Sequence, residues 1–240
     1  AKKMNAGVEI SFFNALKIQA DYFSEKREGI FLERASLPLY IGVSTKPYVN
    51  VGKMKNHGFD TSLEYNQRVG QVRLSGKANF TYAHNTIIDN DQPDWKYPYL
   101  NRRGQMLWQQ YGFVAAGLFE SQADIDSWPT QTFGEVKPGD IKYIDINGDG
   151  KIDTNDEKPI GWAAVPEIVY GFGLSAAWKG LDCSVFFQGA GHVTLQQSGS
   201  AIQAFSARNM MESGVYEDIY YNHWSEDNPN PNAKYPRLSI

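Results

Sequence analysis

Side chains able to do chemistry are concentrated in one stretch, Asp145-Ile146-Asn147-Gly148-Asp149-Gly150-Lys151-Ile152-Asp153-Thr154-Asn155-Asp156. Oxygen-bearing side chains at positions one, three, five, nine and twelve, with glycine at six and isoleucine at eight, match the spacing of a calcium-binding loop. In that reading Asp145, Asn147, Asp149 and Asp156 are side-chain ligands, Lys151 offers only its backbone carbonyl, and Asp153 binds directly or through water. All donors are oxygen and flexibly spaced, which suits calcium better than magnesium. The carboxylates repel one another until a cation neutralises them, so the ion's role would be structural. Position twelve is Asp where Glu is usual, which implies looser coordination, and no helix pair flanks the loop, which argues against a paired EF-hand. The same residues also read as a Gly-rich loop closed on itself by Asx turns, and spacing alone leaves both open.

Other chemistry has little support. His57, His84, His192 and His223 are scattered in sequence and form no H-E-x-x-H, so a zinc site is not expected. Neither G-x-S-x-G nor a P-loop occurs. Carboxylates are plentiful between 86 and 166, where a solvated acidic loop is a better reading than a hydrolase pair. Trp95, Tyr97, Tyr99, Trp108, Tyr111 and Trp128 suit either sugar stacking or loop packing. A net charge of −4 gives no basic footprint for nucleic acid. The single cysteine, Cys183, excludes an internal disulfide framework. No catalytic function is expected.

The elements that must position the loop are strands. Leu16, Ile18, Ala20 and Tyr22 alternate with Lys17, Gln19 and Asp21; Phe59, Thr61, Leu63 and Tyr65 alternate with Asp60, Ser62, Glu64 and Asn66. Val72 to Tyr82 and Ile168 to Trp178 repeat the pattern, and Val8–Phe12 and Leu181–Phe187 complete six strands with one apolar face each. With 14 Tyr, 13 Phe and 6 Trp, the chain carries the aromatic load that the girdles of a membrane β-barrel need. No apolar run is long enough for a transmembrane helix. The first residues run straight into alternating sequence, without the apolar core of a signal peptide, as in a piece of a longer chain.

Alternation suits a soluble sandwich as well as a barrel, but the connections differ. Short turns at Asn14, Val69-Gly70 and Gly180 contrast with long excursions at 33–56, 86–166 and 192–240, the outer-membrane pattern. With the short turns on the periplasmic side, strands 3–13, 57–68 and 166–179 run down and 15–32, 71–85 and 181–191 run up. The stretch 86–166 then leaves and re-enters on the outside and crosses the wall an even number of times, most simply none. The expected organisation is wall strands with one long outer loop over 1–85, an extracellular lobe with the calcium-type loop over 86–165, a barrel hairpin over 166–191, and an outer loop over 192–240. Leu16, Ile18, Leu63, Tyr65, Leu74, Ala78, Phe172 and Leu174 should face lipid, and Lys17, Glu64, Arg73 and Lys77 the lumen. The fold class is all-β: antiparallel transmembrane barrel-wall strands with long extracellular loops. Two raw edges then require further barrel strands from elsewhere. The alternative is a secreted, calcium-stabilised β-sandwich binding module.

Three segments carry a family resemblance. Pro138-Gly139-Asp140-Ile141-Lys142-Tyr143 with the Asp145–Asp153 run, Ile160-Gly161, Pro166 and Tyr170-Gly171 resembles the signature of the SusC/RagA family of TonB-linked outer-membrane proteins. Asn50 to Asp60 resembles the family's segment before a downward strand, and Trp178 to Gly189 its hairpin motif. The resemblance implies the C-terminal part of a large barrel, an N-terminal plug and remaining barrel segments outside this chain, and energy from TonB. It also implies a SusD-like surface lipoprotein as partner, an oligosaccharide or peptide as cargo, and the outer membrane of a Bacteroidetes-type Gram-negative bacterium.

Overall fold

The computed structural model describes residues 1–42, 45–198, 204–205 and 214–238. The expected outer loop over 192–240 therefore lies partly outside the described residues. The chain divides into two compact units, one formed by 1–110 with 161–194 and the other by 111–160 with 195–240.

The first unit is a six-stranded antiparallel sheet. Its strands are β1 (Lys2–Phe12), β2 (Leu16–Glu33), β3 (Tyr48–Val69), β4 (Val72–Asp89) and, after the smaller elements β5 to β10 given below, β11 (Ile168–Trp178) and β12 (Leu181–Gly191). They lie in the order β1-β2-β3-β4-β11-β12. β4 pairs directly with β11, so the long stretch between them adds no strand to the wall. The three short turns fall where the sequence places them. Phe13 and Asn14 have φ of 51° and 52°, and Lys179 and Gly180 have 48° and 85°. Positive φ at both central residues is the tight-hairpin geometry whose twist matches that of the flanking strands.

Register carries the apolar residues into continuous rows. Phe12, Leu16, Tyr65, Gly76, Leu174 and Val185 form one row, and Ile10, Ile18, Leu63, Ala78, Phe172 and Phe187 the next. Tyr22, Phe59 and Tyr82 close the band on the side away from the short turns. Val69, Val72, Trp178 and Leu181 close it at the turns. From Val72 to Tyr82 the strand covers about 34 Å, which a barrel tilt of about 40° reduces to about 26 Å, the height of a lipid-facing band. Among the described residues nothing covers this face: Leu174 is 64% exposed and Phe187 54%.

The opposite face is polar, with Lys17, Glu64 and Lys77 in one row across β2, β3 and β4. Glu64 is 3.6 Å from Lys77, and Glu9 is 3.1 Å from Lys17. Phe186, like Phe23 and Val169, departs from the polar pattern on this face. Its ring lies against Gly171 and Gly173, where a Cβ would stand 3.1 and 3.0 Å from it. All eight residues expected on the apolar face lie on one face by register, and the four expected opposite them lie on the other. Among the described residues every other ladder is two-stranded. The sheet therefore has no second sheet to form a sandwich, and the partial-barrel reading stands.

Two boundaries differ by several residues. The third strand begins at Tyr48, not 57, and β4 runs on to Asp89, past 85. About 9–11 tilted residues suffice to cross a membrane, whereas β3 has 22. Beyond the band neither face needs to be apolar, so Lys53, Lys55 and Asn56 lose the alternation by which a strand is recognised.

The second unit has a core of its own. Its short strands are β6 (Ala115–Leu118), β7 (Thr130–Gln131), β8 (Ile141–Tyr143) and β9 (Lys151–Ile152), with helices α1 (Gln122–Asp126) and α2 (Glu217–Asn222), while β5 (Gln109–Gly112) and β10 (Lys158–Ala163) run through the two points where the chain passes from one unit to the other. β6 pairs antiparallel with β8, and β7 parallel with β9. Phe119, Ile152, Ile219 and Trp224 are buried. Phe113 packs on Phe133 and Tyr143 at centroid distances of 4.8 and 5.3 Å.

Candidate functional site

The calcium-type loop is built around β9 and the turn after it. Thr130 N–H donates to the Gly150 carbonyl (3.1 Å), and Thr132 N–H to that of Ile152 (3.1 Å). β7 thus occupies the place where a second hand would pair at position eight, consistent with the missing helix pair. Ile152 is fully buried and anchors the loop in the core.

Asp156 organises the rest. It is 0% exposed, and its Oδ1 accepts from Ile146 N–H (2.8 Å) and Asn147 N–H (3.2 Å), its Oδ2 from Asp153 N–H (2.9 Å). Asp153 returns a bond from Asn155 N–H (2.7 Å), completing a capping box over Thr154–Asp156. Asp145 accepts from Gly148 N–H and Gly150 N–H, Asn147 from Asp149 N–H, and Asp149 from Lys151 N–H. Gly148 and Gly150 have φ of 73° and 82°, which the tight course of the loop requires. Burial pushes the Asp145 carboxyl up. The N–H groups of Gly150, Gly148 and Asp149, with the neighbouring Asp156, outweigh it and hold Asp145 below the usual carboxylate range.

Asp145, Asn147, Asp149, Lys151, Asp153 and Asp156 therefore share one closed loop. Its side-chain oxygens are turned onto its own amides, and among the described residues no three His, Cys, Asp or Glu side chains are gathered tightly enough to hold a metal ion.

The neighbouring motif has structural work of its own. Gly139, at φ 86°, passes beneath Trp224, whose ring would lie 2.1 Å from a Cβ there. Asp140 accepts from Lys137 N–H (2.8 Å) and pairs with Arg237 (2.7 Å). Trp128 donates to the Tyr143 carbonyl (2.7 Å) and carries Lys142 over its ring at 4.0 Å. Lys142 bonds Asp124 and holds its carboxyl low against the opposing effect of burial. Burial alone pushes the Tyr143 phenol up. Trp128 is thus a packing residue; Trp95 and Trp108 remain exposed, and Tyr97 stacks on Tyr99 at 5.6 Å.

Three of the four histidines scattered in sequence come together. Glu167, 3% exposed, bonds His84, and its Oε2 lies 3.0 Å from Nδ1 of His192. His192 stacks on Trp162 at 3.9 Å, and His57 meets His84 edge-on at 5.6 Å. The β3–β4 register places His57 opposite His84, a pairing visible in sequence only once that register is known. His223 instead bonds main-chain carbonyls beside α2.

No protein-family model matches the chain. Two curated proteins of Formosa agariphila are similar to it. TonB-dependent receptor P3 is 26% identical over 99% of this chain and 24% of its own length. TonB-dependent receptor P26 is 27% identical over 78% of this chain and 20% of its own. The chain thus spans about a quarter or less of these relatives. Among solved structures, that of the RagAB peptide transporter superposes with a TM-score of 0.69 at 20% identity, over 99% of this chain and 26% of that one. The resemblance read from the motifs holds. The chain is similar along nearly its whole length to a segment of TonB-dependent receptors, and it has the fold of the matching part of the RagAB structure.

Proposed function

Taking the chain as a barrel segment of the SusC/RagA type, we propose that it forms part of the wall and outer segments of a TonB-dependent transporter in the outer membrane of a Gram-negative bacterium. The transporter imports a peptide or an oligosaccharide together with a SusD-like surface lipoprotein. The observation that carries this reading is the one-sided apolar band, about 26 Å tall and aromatic at both rims, which no element among the described residues covers. The RagAB peptide transporter, as a fold neighbour, supports a peptide as cargo. This chain's part is scaffold and contact surface, not catalysis. The test is uptake by cells carrying the whole transporter: labelled oligopeptide or oligosaccharide should enter, and should stop entering when TonB is removed. Unchanged uptake without TonB would overturn the proposal. The outer segments should carry the lipoprotein contacts, since aromatic side chains supply large area at low entropic cost. A transporter lacking 192–235 should fail to retain its lipoprotein in a pull-down, and full retention would count against that assignment.

In the same reading the loop holds one structural calcium ion through Asp145, Asn147, Asp149, the Lys151 carbonyl and Asp156, with Asp153 direct or through water. Its support is the calcium-loop spacing of oxygen-bearing side chains from Asp145 to Asp156 within one closed loop. Segment 120–165 should become protease-sensitive in chelator and recover with calcium, with ligand distances of about 2.3–2.6 Å in an experimental map. Equal protection in both conditions would leave the self-capped loop as the whole explanation.

A further inference from the structure

Above the aromatic rim of the band, on the same outward face, the register sets Lys2, Lys26 and Lys55 directly opposite one another across β1, β2 and β3. Lys53 follows on the same edge of β3. Like charges in directly opposed positions destabilise a sheet, so the row calls for an anion. Acidic partners are few. Glu28 lies 2.8 Å from Lys26 and is the acidic group that also senses Lys2 and Lys53. Asp89 approaches Lys53 only to 3.9 Å. Among the described residues no ion pair reaches Lys2 or Lys55. At the same height on the other face each cation has an acidic partner: Glu25 stands between Lys3 (3.4 Å) and Arg27 (2.6 Å).

The level of the row indicates what covers it. Lys26 lies about 13 Å along the strand from Tyr22, or about 10 Å higher after tilt, just above the apolar core. The row between them holds Ser24, His57 and His84, which are polar. Long lysine side chains at that level reach headgroups while their stems stay along the wall. The side away from the short turns is the external one in this architecture.

We propose that Lys2, Lys26 and Lys55, flanked by Lys53, bind the phosphorylated headgroup of an outer-leaflet lipid. The inference rests on the membrane reading above. Delipidated full-length transporter in neutral detergent is titrated with a phosphorylated diglucosamine lipid and with its dephosphorylated form, retention being read by native mass spectrometry. The phosphorylated lipid binds at least about tenfold more tightly. Lys26→Gln/Lys55→Gln weakens it about 25-fold, at about fivefold per lysine near a charged surface, and Lys2→Gln alone about fivefold. Lys3→Gln, on the other face, leaves it unchanged, and inorganic phosphate does not displace the lipid. Equal binding of both lipids, or an unaffected double variant, overturns the proposal while leaving the barrel standing. Efficient displacement by inorganic phosphate overturns it in favour of a free-anion site. A transporter soluble without detergent that retains neither lipid overturns both readings. Should the double variant fail to insert, Lys2→Gln and the two-lipid comparison on the native protein decide the matter.

Discussion

The six-stranded sheet and the inserted unit are made from the same residue types, yet they treat apolar side chains in opposite ways. In the sheet Leu174, Phe187 and Leu181 stand exposed in a band, and ion pairs lie on the other face. In the 111–160 and 195–240 unit Phe119, Ile152 and Trp224 are buried, and the polar groups close onto main-chain amides. Hydrophobic burial drives both, but toward two solvents: the unit makes its own interior, whereas the band becomes interior only in lipid. A substitution should therefore be judged by the solvent its side chain meets, not by its exposure in the isolated chain.

The largest expected effect is at Asp156. Asp156→Ala leaves the N–H groups of Ile146, Asn147 and Asp153 without their acceptor in a dry site, at a cost of about 3–5 kcal/mol. Denaturant-dependent proteolysis of the 111–160 region in the full transporter should show this loss with the wall intact. Next comes Leu174→Arg, which costs about 2–4 kcal/mol if the band lies in lipid. It should read out as reduced barrel insertion and a lower heat-modified gel transition, whereas a solvent-facing Leu174 would tolerate the change. Gly139→Ala combines positive φ with a clash against Trp224, at a cost of about 1–3 kcal/mol measurable by the same proteolysis. The smallest effect is Lys77→Ala on the lumen face, under about 0.5 kcal/mol for an exposed pair with Glu64.

Acidity sharpens the same contrast. Asp145 and Asp124 are held below the ordinary 3.8 in the folded unit. The stability they contribute is fully present above that value and is lost as pH falls through their lower folded values. Protease resistance of the inserted unit should therefore be flat through pH 5 and decline below pH 3.8. Asp145→Asn should flatten that decline.

Sequence legibility follows the same division. The wall could be read because lipid on one side and lumen on the other force strict alternation, and because tight turns such as Lys179-Gly180 need particular backbone geometry. The upper half of β3 could not, since Lys53 to Asn56 lie where neither face must be apolar. Two-residue strands such as β7 and β9 leave no periodicity at all, so the pairing of Thr130 with Lys151 was invisible. The spacing from Asp145 to Asp156 marked a closed loop correctly, but amide N–H groups and a cation make the same demand on oxygen. Glu167 with His84 and His192 joins residues distant in sequence and needed the register first.

The central claim is that the apolar face of the six-stranded sheet meets lipid. Nitroxide labels introduced singly by Phe172→Cys and Phe187→Cys, and on the other face by Ser175→Cys and Gln188→Cys, test it in the full-length transporter reconstituted in liposomes with Cys183→Ser as background. The account predicts strong relaxation by oxygen and protection from a water-soluble nickel reagent at 172 and 187, with the reverse at 175 and 188. Water-like accessibility at 172 and 187, or no difference between the faces, would contradict it.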